Sequence, residues 1–235
     1  MTVLVDIGNS MTQWCGVTNG QLGPVAACQT PSFSLAMLPT SDRYVVASVV
    51  PQSTALFANQ SGCLFVSSDT IPDIHVGIPE PQQVGADRLA TALAGYRHAQ
   101  GACLVIDSGT ATTLCYVNAE GTYQGGVILP GLALSAKALH RYTAQLPDVW
   151  VEPTDSYCGQ TTQEAIQIGL YRSAVYTLSG FISAYREAHP GIAIIGTGTG
   201  MTVLHDALDL DYFDPHLIFQ GLAAVGGDSA IMFLV

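Results

Sequence analysis

The chain has 235 residues and a net charge of −11, with only seven lysines and arginines. So few cations argue against a basic face for nucleic acid or for an anionic membrane, and neither is an expected partner. Charged residues make up 11% of the chain and hydrophobic ones 49%, so we expect a subunit partner to cover part of the surface.

The cysteines and the N-terminus bear on the cellular compartment. The six cysteines show no close pair and no metal-ligand spacing, and most lie in apolar runs, where a reduced thiol acts as a small hydrophobe. No basic region opens the chain and Asp6 interrupts its first apolar run, so no signal peptide is expected. The uncharged, largely apolar stretch of residues 44–68 contains Pro51 and polar amides, which argues against a membrane span. We therefore expect a cytoplasmic protein.

The first third of the chain predicts mainly strands. Its apolar runs are separated by turn residues such as Asn19-Gly20, and Pro51 stands where a helix can start. Prolines then crowd residues 72–81, which we predict to be a loop and the linker between two domains. The other predicted elements are a hairpin of residues 2–7 and 11–18, a buried strand at 44–50, a short helix at 51–60 and a strand at 64–67.

The rest of the chain predicts alternating helices and strands. Apolar residues share one face of residues 85–98, and Thr161 or Thr162 can cap a long helix that runs to about residue 188, in one piece or two. Glycines weaken the helical pattern of residues 218–234. The other predicted elements are strands at 103–106, 114–117, 124–129 and 192–195, helices at 132–143 and 201–208, and a loop at 147–160.

The chain is organised around the stretch from Val105 to Thr113. An apolar strand ends in Asp107, Gly109 and several hydroxyls follow, and a second β-prone run returns. The N–H groups and hydroxyls of such a turn can face an anion while the carboxylate holds a cation between them. This is the chemistry of a phosphate site.

The same pattern recurs at the N-terminus. The corresponding pairs are Asp6 with Asp107, Gly8 with Gly109, and Thr12 with Thr113. One such stretch fits an ordinary hairpin, because Asp, Asn and Gly favour turns, but two copies behind apolar strands favour a phosphate site. We therefore predict two related α/β domains, residues 1–82 and 83–235, that face each other across a nucleotide cleft.

Two further motifs each allow two interpretations. Residues 196–200, Gly-Thr-Gly-Thr-Gly, lack the Lys-Ser/Thr of a Walker A loop and fit either close approach of a nucleotide or strand–helix packing. Asp87 and Arg88 follow Gly85 at a predicted helix start. Asp87 either favours the first helical turn, with Arg88 pairing at the surface, or acts as a base beside an anion-clamping guanidinium. The six histidines have no metal-like spacing and are expected to be surface or core residues.

Together and in order, these motifs resemble those of type III pantothenate kinases, in the acetate and sugar kinase/heat-shock ATPase/actin superfamily. The resemblance runs from end to end of the chain. The matching segments are Asp6-Ile7-Gly8-Asn9-Ser10, Val49-Val50-Pro51, Val84-Gly85-Ala86-Asp87-Arg88, Asp107-Ser108-Gly109-Thr110-Ala111, and residues 125–132, 143–147, 162–169 and 214–222.

The resemblance implies both the fold and the reaction. Such a protein has two related ribonuclease H-like (actin-like) domains, each with a mixed sheet of the five-stranded type and helices. It phosphorylates pantothenate at its primary hydroxyl with ATP and Mg²⁺, the first step towards coenzyme A, and it works as a homodimer. Mg²⁺ held largely through water and phosphate supplies the positive charge that so few lysines cannot.

The resemblance also implies the site residues. Asp87 is the general base, Asp107 is a ligand of a monovalent cation (K⁺ or NH₄⁺), and Arg88 suits the pantothenate carboxylate. The implied substrate contacts are Gly85, Ala86, Asp87, Arg88 and Thr162. The implied ATP contacts are Asp6, Ile7, Gly8, Asn9, Ser10, Met11, Thr12, Gln13 and Thr110.

One position departs from the family pattern. A tyrosine that lines the substrate pocket usually stands seven residues before the signature glycine, where this chain has Ile78. Two other classes of function remain open: a non-catalytic homologue that acts as an interaction or accessory protein, and a superfamily phosphohydrolase that acts on ATP or polyphosphate. Retention of Asp6, Asp87 and Asp107 together favours the kinase.

Overall fold

The structure is a computed structural model, and it describes residues 1–227. The strands are β1 (Thr2–Ile7), β2 (Met11–Thr18), β3 (Gln21–Leu22), β4 (Ala26–Gln29), β5 (Arg43–Ser48), β6 (Cys63–Phe65), β7 (His75–Val76), β8 (Cys103–Ser108), β9 (Ala111–Val117), β10 (Thr122–Pro130), β11 (Ala193–Thr197) and β12 (Tyr212–Phe213). The α-helices are α1 (Pro51–Thr54), α2 (Ala86–Ala99), α3 (Leu132–Arg141), α4 (Thr162–Ala188), α5 (Met201–Leu204) and α6 (Leu217–Val225). Short 3₁₀ segments follow α1 and α5 and occur at Thr30–Ser32, Leu35–Met37 and Pro81–Gln83.

The first sheet has six strands in the order β3-β2-β1-β5-β6, with β4 paired to β2. β1 and β2 are antiparallel, with Asp6 opposite Gln13, which confirms the predicted hairpin. Asn19 and Gly20 turn the chain with φ angles of 52° and 73°. β5 lies parallel to β1, as expected for strands that are buried on both faces. The buried strand predicted at residues 44–50 is confirmed.

Both faces of the first sheet are covered by apolar side chains. On one face, alternate residues of β1 join a cluster around Phe57, whose ring centroid lies 6.4 Å from that of Phe33 and 6.4 Å from that of Tyr44. α2 and α6 pack against each other and against β5. A Cβ at Gly221 on α6 would overlap the carbonyl oxygen of Ala90 on α2, so glycine is needed for this close helix approach.

The second sheet has six strands in the order β12-β11-β8-β9-β10-β7. β8 and β11 are parallel and place Asp107 opposite Thr197. The prediction of residues 72–81 as loop alone is wrong at β7, which pairs in parallel with Thr122 and Tyr123 of β10. A strand of two residues has no hydrophobic period of its own, so only its pairing partner reveals it.

The chain divides into two compact units. Among the described residues, the first contains 1–102, 116–125 and 216–227, and the second contains 103–115 and 126–215. α2 belongs to the first unit because it packs on α6 and β5. The units therefore do not follow the boundary predicted after residue 82. The division into two related domains at that point stays a prediction.

The termini of α4 and α6 bear on two helix predictions. Thr161 caps α4 in a capping box with Glu164, and α4 is one helix of 27 residues. α6 ends at Val225, and residues 228–234 of the helix predicted there lie outside the described part of the chain. Within residues 1–227, no helix is both long enough and apolar enough to cross a membrane.

Candidate active site

The first phosphate-type turn closes the β1–β2 hairpin. The Gly8 N–H donates to the Met11 carbonyl oxygen at 3.0 Å, and the Thr30 hydroxyl donates to the Gly8 carbonyl oxygen at 2.6 Å. The Thr12 hydroxyl, which is fully buried, lies 3.0 Å from that of Thr30. Thr12 and Thr30 thus support the turn from the protein interior.

The residues predicted to contact ATP in this turn differ in whether their side chains are exposed to a ligand. Asn9, Ser10 and Met11 are exposed, whereas the side chains of Ile7 and Thr12 are fully buried. Ile7 joins the apolar cluster of the first sheet. Ile7 and Thr12 can therefore serve a phosphate only through the backbone and through the shape of the turn.

The second motif of this unit is the start of α2. Gly85 is the N-cap residue, and Asp87 lies in the first turn. The Asp87 Oδ1 accepts a hydrogen bond from the Arg88 N–H at 2.7 Å. A Cβ on Gly85 would lie 2.5 Å from this same oxygen, so the signature glycine leaves room for the carboxylate.

The Asp87 carboxyl is perturbed in the direction that suits a base. Burial raises its pKa above the ordinary value, while the Arg88 N–H and the Arg88 guanidinium oppose this rise more weakly. A carboxylate with a raised pKa holds a transferred proton better at neutral pH than an exposed one does. The helix-start interpretation and the base interpretation are thus compatible, because the helix start holds the carboxylate in place.

Val49 connects the turn after β1 with the start of α2, because it contacts both. The Val49 N–H donates to the Ile7 carbonyl oxygen at 3.1 Å, at the end of β1. The Val49 Cγ1 lies 3.4 Å from the position of a Cβ on Gly85. A cavity of about 370 Å³ opens beside Gly85, and its lining mixes hydroxyl, amide and apolar groups. The lining residues are Ser48, Val49, Val66, Ser67, Ser68, Asp69, Gln82, Gln83, Val84, Gly85 and Ala86.

Sequence reasoning missed Tyr123 as a neighbour of the signature. An Arg88 Nη2 donates to the Tyr123 hydroxyl at 2.7 Å, and Tyr123 is fully buried on β10. Ile78, at the usual tyrosine position, lies with its Cγ2 3.7 Å from the position of a Cβ on Gly125. In the sequence, only its position two residues before the Gly125-Gly126 pair could have drawn attention to Tyr123.

The second unit carries the other phosphate-type turn, between β8 and β9. The Gly109 N–H donates to the Ala111 carbonyl oxygen at 2.9 Å, and the Gly131 N–H donates to the Thr110 carbonyl oxygen at 3.1 Å. This turn has one residue fewer between its strands than the first turn. The buried counterpart of Thr12 is therefore Thr112, and the predicted match with Thr113 is wrong by one position.

The glycine-rich loop, residues 196–200, packs directly on this turn. Gly198 has a φ of 86°, and a Cβ there would overlap the Asp107 Oδ1. The Gly200 N–H donates to the Ser108 carbonyl oxygen at 2.7 Å. The strand–helix packing interpretation is therefore confirmed, because the loop backbone lies against the Asp107 turn. Close approach of a nucleotide to this loop stays a prediction.

A cavity of about 530 Å³ adjoins the turn and the loop. Trp150, from the 147–160 loop, and Lys137, on α3, line it together with Gly109. Lys137 is the only lysine of the chain, a signal that sequence reasoning could have used. The remaining lining is Leu132, Ala133, Ala136, Asp148, Val149, Val151, Thr199, Gly200, Thr202 and Val203.

Two further predictions concern Thr162 as a substrate contact and Asp107 as a cation ligand. Thr162 is the first residue of α4 and is exposed, and its predicted contact with substrate stays a prediction. Among residues 1–227, no group of three or more His, Cys, Asp or Glu side chains is placed to hold a metal ion. A cation at Asp107 would therefore need phosphate oxygens, water or backbone carbonyls as its other ligands.

The fold defines a class, the proteins of actin-like fold. The chain is similar to a Campylobacter jejuni protein assigned to the Baf family of transcriptional activators, with a TM-score of 0.68 and 21% identity over 98% of this chain and 100% of that one. It is also similar to a Sinorhizobium meliloti protein assigned as a 2-dehydro-3-deoxygalactonokinase, with a TM-score of 0.58 and 12% identity over 96% of this chain and 98% of that one. At these identities the likeness shows the fold alone.

Sequence comparison identifies the family within this class. The family profile for type III pantothenate kinase matches residues 2–184. A type III pantothenate kinase of Phenylobacterium zucineum is 33% identical over 78% of this chain and 75% of its own length. That of Methylacidiphilum infernorum is 32% identical over 95% of this chain and 87% of its own length. The chain belongs to the type III pantothenate kinase family.

Proposed function

We propose that this chain transfers the γ-phosphoryl group of ATP to the primary hydroxyl of pantothenate, the first step towards coenzyme A, with Asp87 as the general base. The observation that carries the role of Asp87 is its half-buried carboxylate with a raised pKa at the start of α2, beside Arg88. Membership of the type III pantothenate kinase family supports the substrates.

The reaction needs little from the protein beyond position and charge. The pantothenate hydroxyl gives its proton to the Asp87 carboxylate while its oxygen bonds to the γ-phosphorus. The bond from that phosphorus to the bridging oxygen breaks, and ADP leaves. Arg88 offers forked N–H donors to pantothenate. The cavity beside Gly85 offers both hydroxyl and amide side chains and apolar ones to the ligand.

ATP contacts are proposed for both phosphate-type turns. In the first unit, the segment from Asp6 to Gln13 offers the backbone of Gly8 and the exposed Asn9 and Ser10. In the second unit, Thr110 lies on the turn that adjoins the larger cavity, whose Lys137 ammonium can neutralise part of the phosphate charge. When bound, Mg²⁺ supplies further positive charge to the phosphates.

A monovalent cation at Asp107 predicts a salt dependence. The carboxylate is fixed at the end of β8 against Gly198, where a K⁺ or NH₄⁺ ion beside the phosphates would lower their repulsion. We expect the rate to rise with KCl or NH₄Cl and to stay low in NaCl alone, at constant ionic strength. Equal rates in the three salts would contradict this role.

We also propose a homodimer in a reducing cytoplasm, and most of the cysteines lie in apolar runs, as a reduced thiol does. The second unit exposes several large apolar side chains, and such surfaces usually mark an interface. They are Ile128, Leu134, Tyr142, Trp150, Tyr157 and Tyr176. Light scattering at micromolar concentration is expected to give twice the chain mass of 24.6 kDa. A mass of one chain would refute the dimer.

A coupled ADP-release assay, with and without pantothenate, separates the proposed function from the other two classes. A kinase releases ADP only when pantothenate is present. A phosphohydrolase releases ADP without an acceptor alcohol, and a non-catalytic homologue releases none in either condition.

A further inference from the structure

Arg88 is held by a residue that is distant in sequence. Its side chain runs from the first turn of α2 to β10, where an Nη2 donates to the Tyr123 hydroxyl at 2.7 Å. The guanidinium carbon lies 5.9 Å from the centroid of the same ring. Tyr123 therefore contacts the guanidinium through its hydroxyl, and its ring lies at the outer limit of a cation–π distance.

Tyr123 is itself fixed on several sides. It is fully buried, it is paired with Val76 of β7, and its carbonyl oxygen accepts from the Gly77 N–H at 3.0 Å. The neighbouring Thr122 N–H donates to the Asn118 Oδ1 at 2.7 Å. Burial and these backbone bonds restrict where the phenol can lie. Its hydrogen bond in turn restricts the orientation of the Arg88 guanidinium.

The phenol suits this task because it is neutral at physiological pH. A carboxylate in the same place would neutralise the guanidinium and compete with the substrate for it. A phenol accepts one of the five N–H groups and leaves the positive charge in the site. An arginine side chain ordered before binding also loses less conformational entropy when the ligand arrives.

We infer that Tyr123 is a positioning residue of the pantothenate site, whose buried hydroxyl holds the Arg88 guanidinium in the orientation that contacts pantothenate. This inference rests on the proposed function. The pairing of β7 with β10 holds the backbone at Tyr123, the residue that carries this phenol.

The test is Tyr123→Phe in the full chain, with Tyr44→Phe as the matched control. Tyr44 is also buried in the first unit, and its hydroxyl bonds to the Ser41 N–H at 3.0 Å and the Pro39 carbonyl oxygen at 3.1 Å. We expect Tyr123→Phe to raise the KM for pantothenate by roughly 3–10-fold, the value of one hydrogen bond. The KM for ATP and kcat should stay as in the wild type, and Tyr44→Phe should change neither KM.

A double-mutant cycle that combines Tyr123→Phe with Arg88→Lys isolates the contact between these two side chains. If Tyr123 acts through Arg88, Tyr123→Phe adds little to the pantothenate KM once the guanidinium is gone. An unchanged pantothenate KM in a folded Tyr123→Phe variant, or full additivity in the cycle, overturns the inference while leaving the kinase function intact. No turnover by the wild type with pantothenate overturns both.

If the Tyr123→Phe variant does not fold, a measurement on the wild-type protein tests the same contact. In ¹⁵N-labelled wild-type protein, a guanidinium held by Tyr123 shows slow rotation about its Cζ–Nη bonds, seen as separate Nη resonances of Arg88. Fast rotation, with averaged Nη resonances, would overturn the inference.

Discussion

Asp87→Asn is expected to lower kcat by about 10²–10⁴-fold, the usual contribution of a general base. Asparagine keeps the shape of the side chain and an oxygen that accepts from the Arg88 N–H, but it cannot take the pantothenate proton. ATP binding should remain, because only the base is removed. Steady-state ADP release and a nucleotide-binding titration check both parts. A normal kcat would show that Asp87 is only a helix-start residue.

The free energy of unfolding of Asp87→Asn, compared with that of the wild type, tests whether Asp87 is buried at a cost. Burial raises the pKa of Asp87, so the folded protein binds the Asp87 proton more tightly than the unfolded chain does. The stability from this linkage is fully present below the unfolded pKa and is lost as the pH rises through the raised, folded pKa. Asp87→Asn should therefore be more stable than the wild type at pH 7, and the advantage should shrink in acid. Urea denaturation across this range measures it, and a less stable variant at pH 7 would contradict the assigned burial cost.

Gly198→Ala is expected to lower kcat/KM for ATP by roughly 10–100-fold, since small misplacements of a site cost about this much. The new Cβ would overlap the Asp107 Oδ1 and the Ser108 carbonyl oxygen. The carbonyl belongs to β8 and cannot move away as a flexible side chain would, so the Asp107 turn must shift.

Gly191→Ala is the matched control for this change. Gly191 has a φ of 84°, close to the 86° of Gly198, but a Cβ there meets no atom of the described chain within 4 Å. Both variants bear the strain of a left-handed residue, about 1 kcal/mol. Only Gly198→Ala should lose activity. Equal activity losses in the two variants would assign the effect to strain and not to Asp107.

The sequence by itself determined the local elements and their chemistry. Apolar runs separated by turn residues placed the β1–β2 hairpin, and a carboxylate followed by glycine and hydroxyls marked the turns after Asp6 and Asp107. The signature from Gly85 to Arg88 predicted both a helix start and a base, and the structure shows a helix start that buries the carboxylate. These features follow from residues close in sequence, because backbone period and turn geometry are local properties.

Only the tertiary structure decided which distant residues meet. The Tyr123 hydroxyl reaches Arg88 across 35 positions of sequence, and β7 exists as a strand only because β10 lies beside it. The shift of the Thr12 counterpart to Thr112 depends on a turn shorter by one residue. The raised pKa of Asp87 likewise requires the elements that bury it. Such contacts depend on how strands and helices pack across long separations, and no local spacing in the sequence encodes that packing.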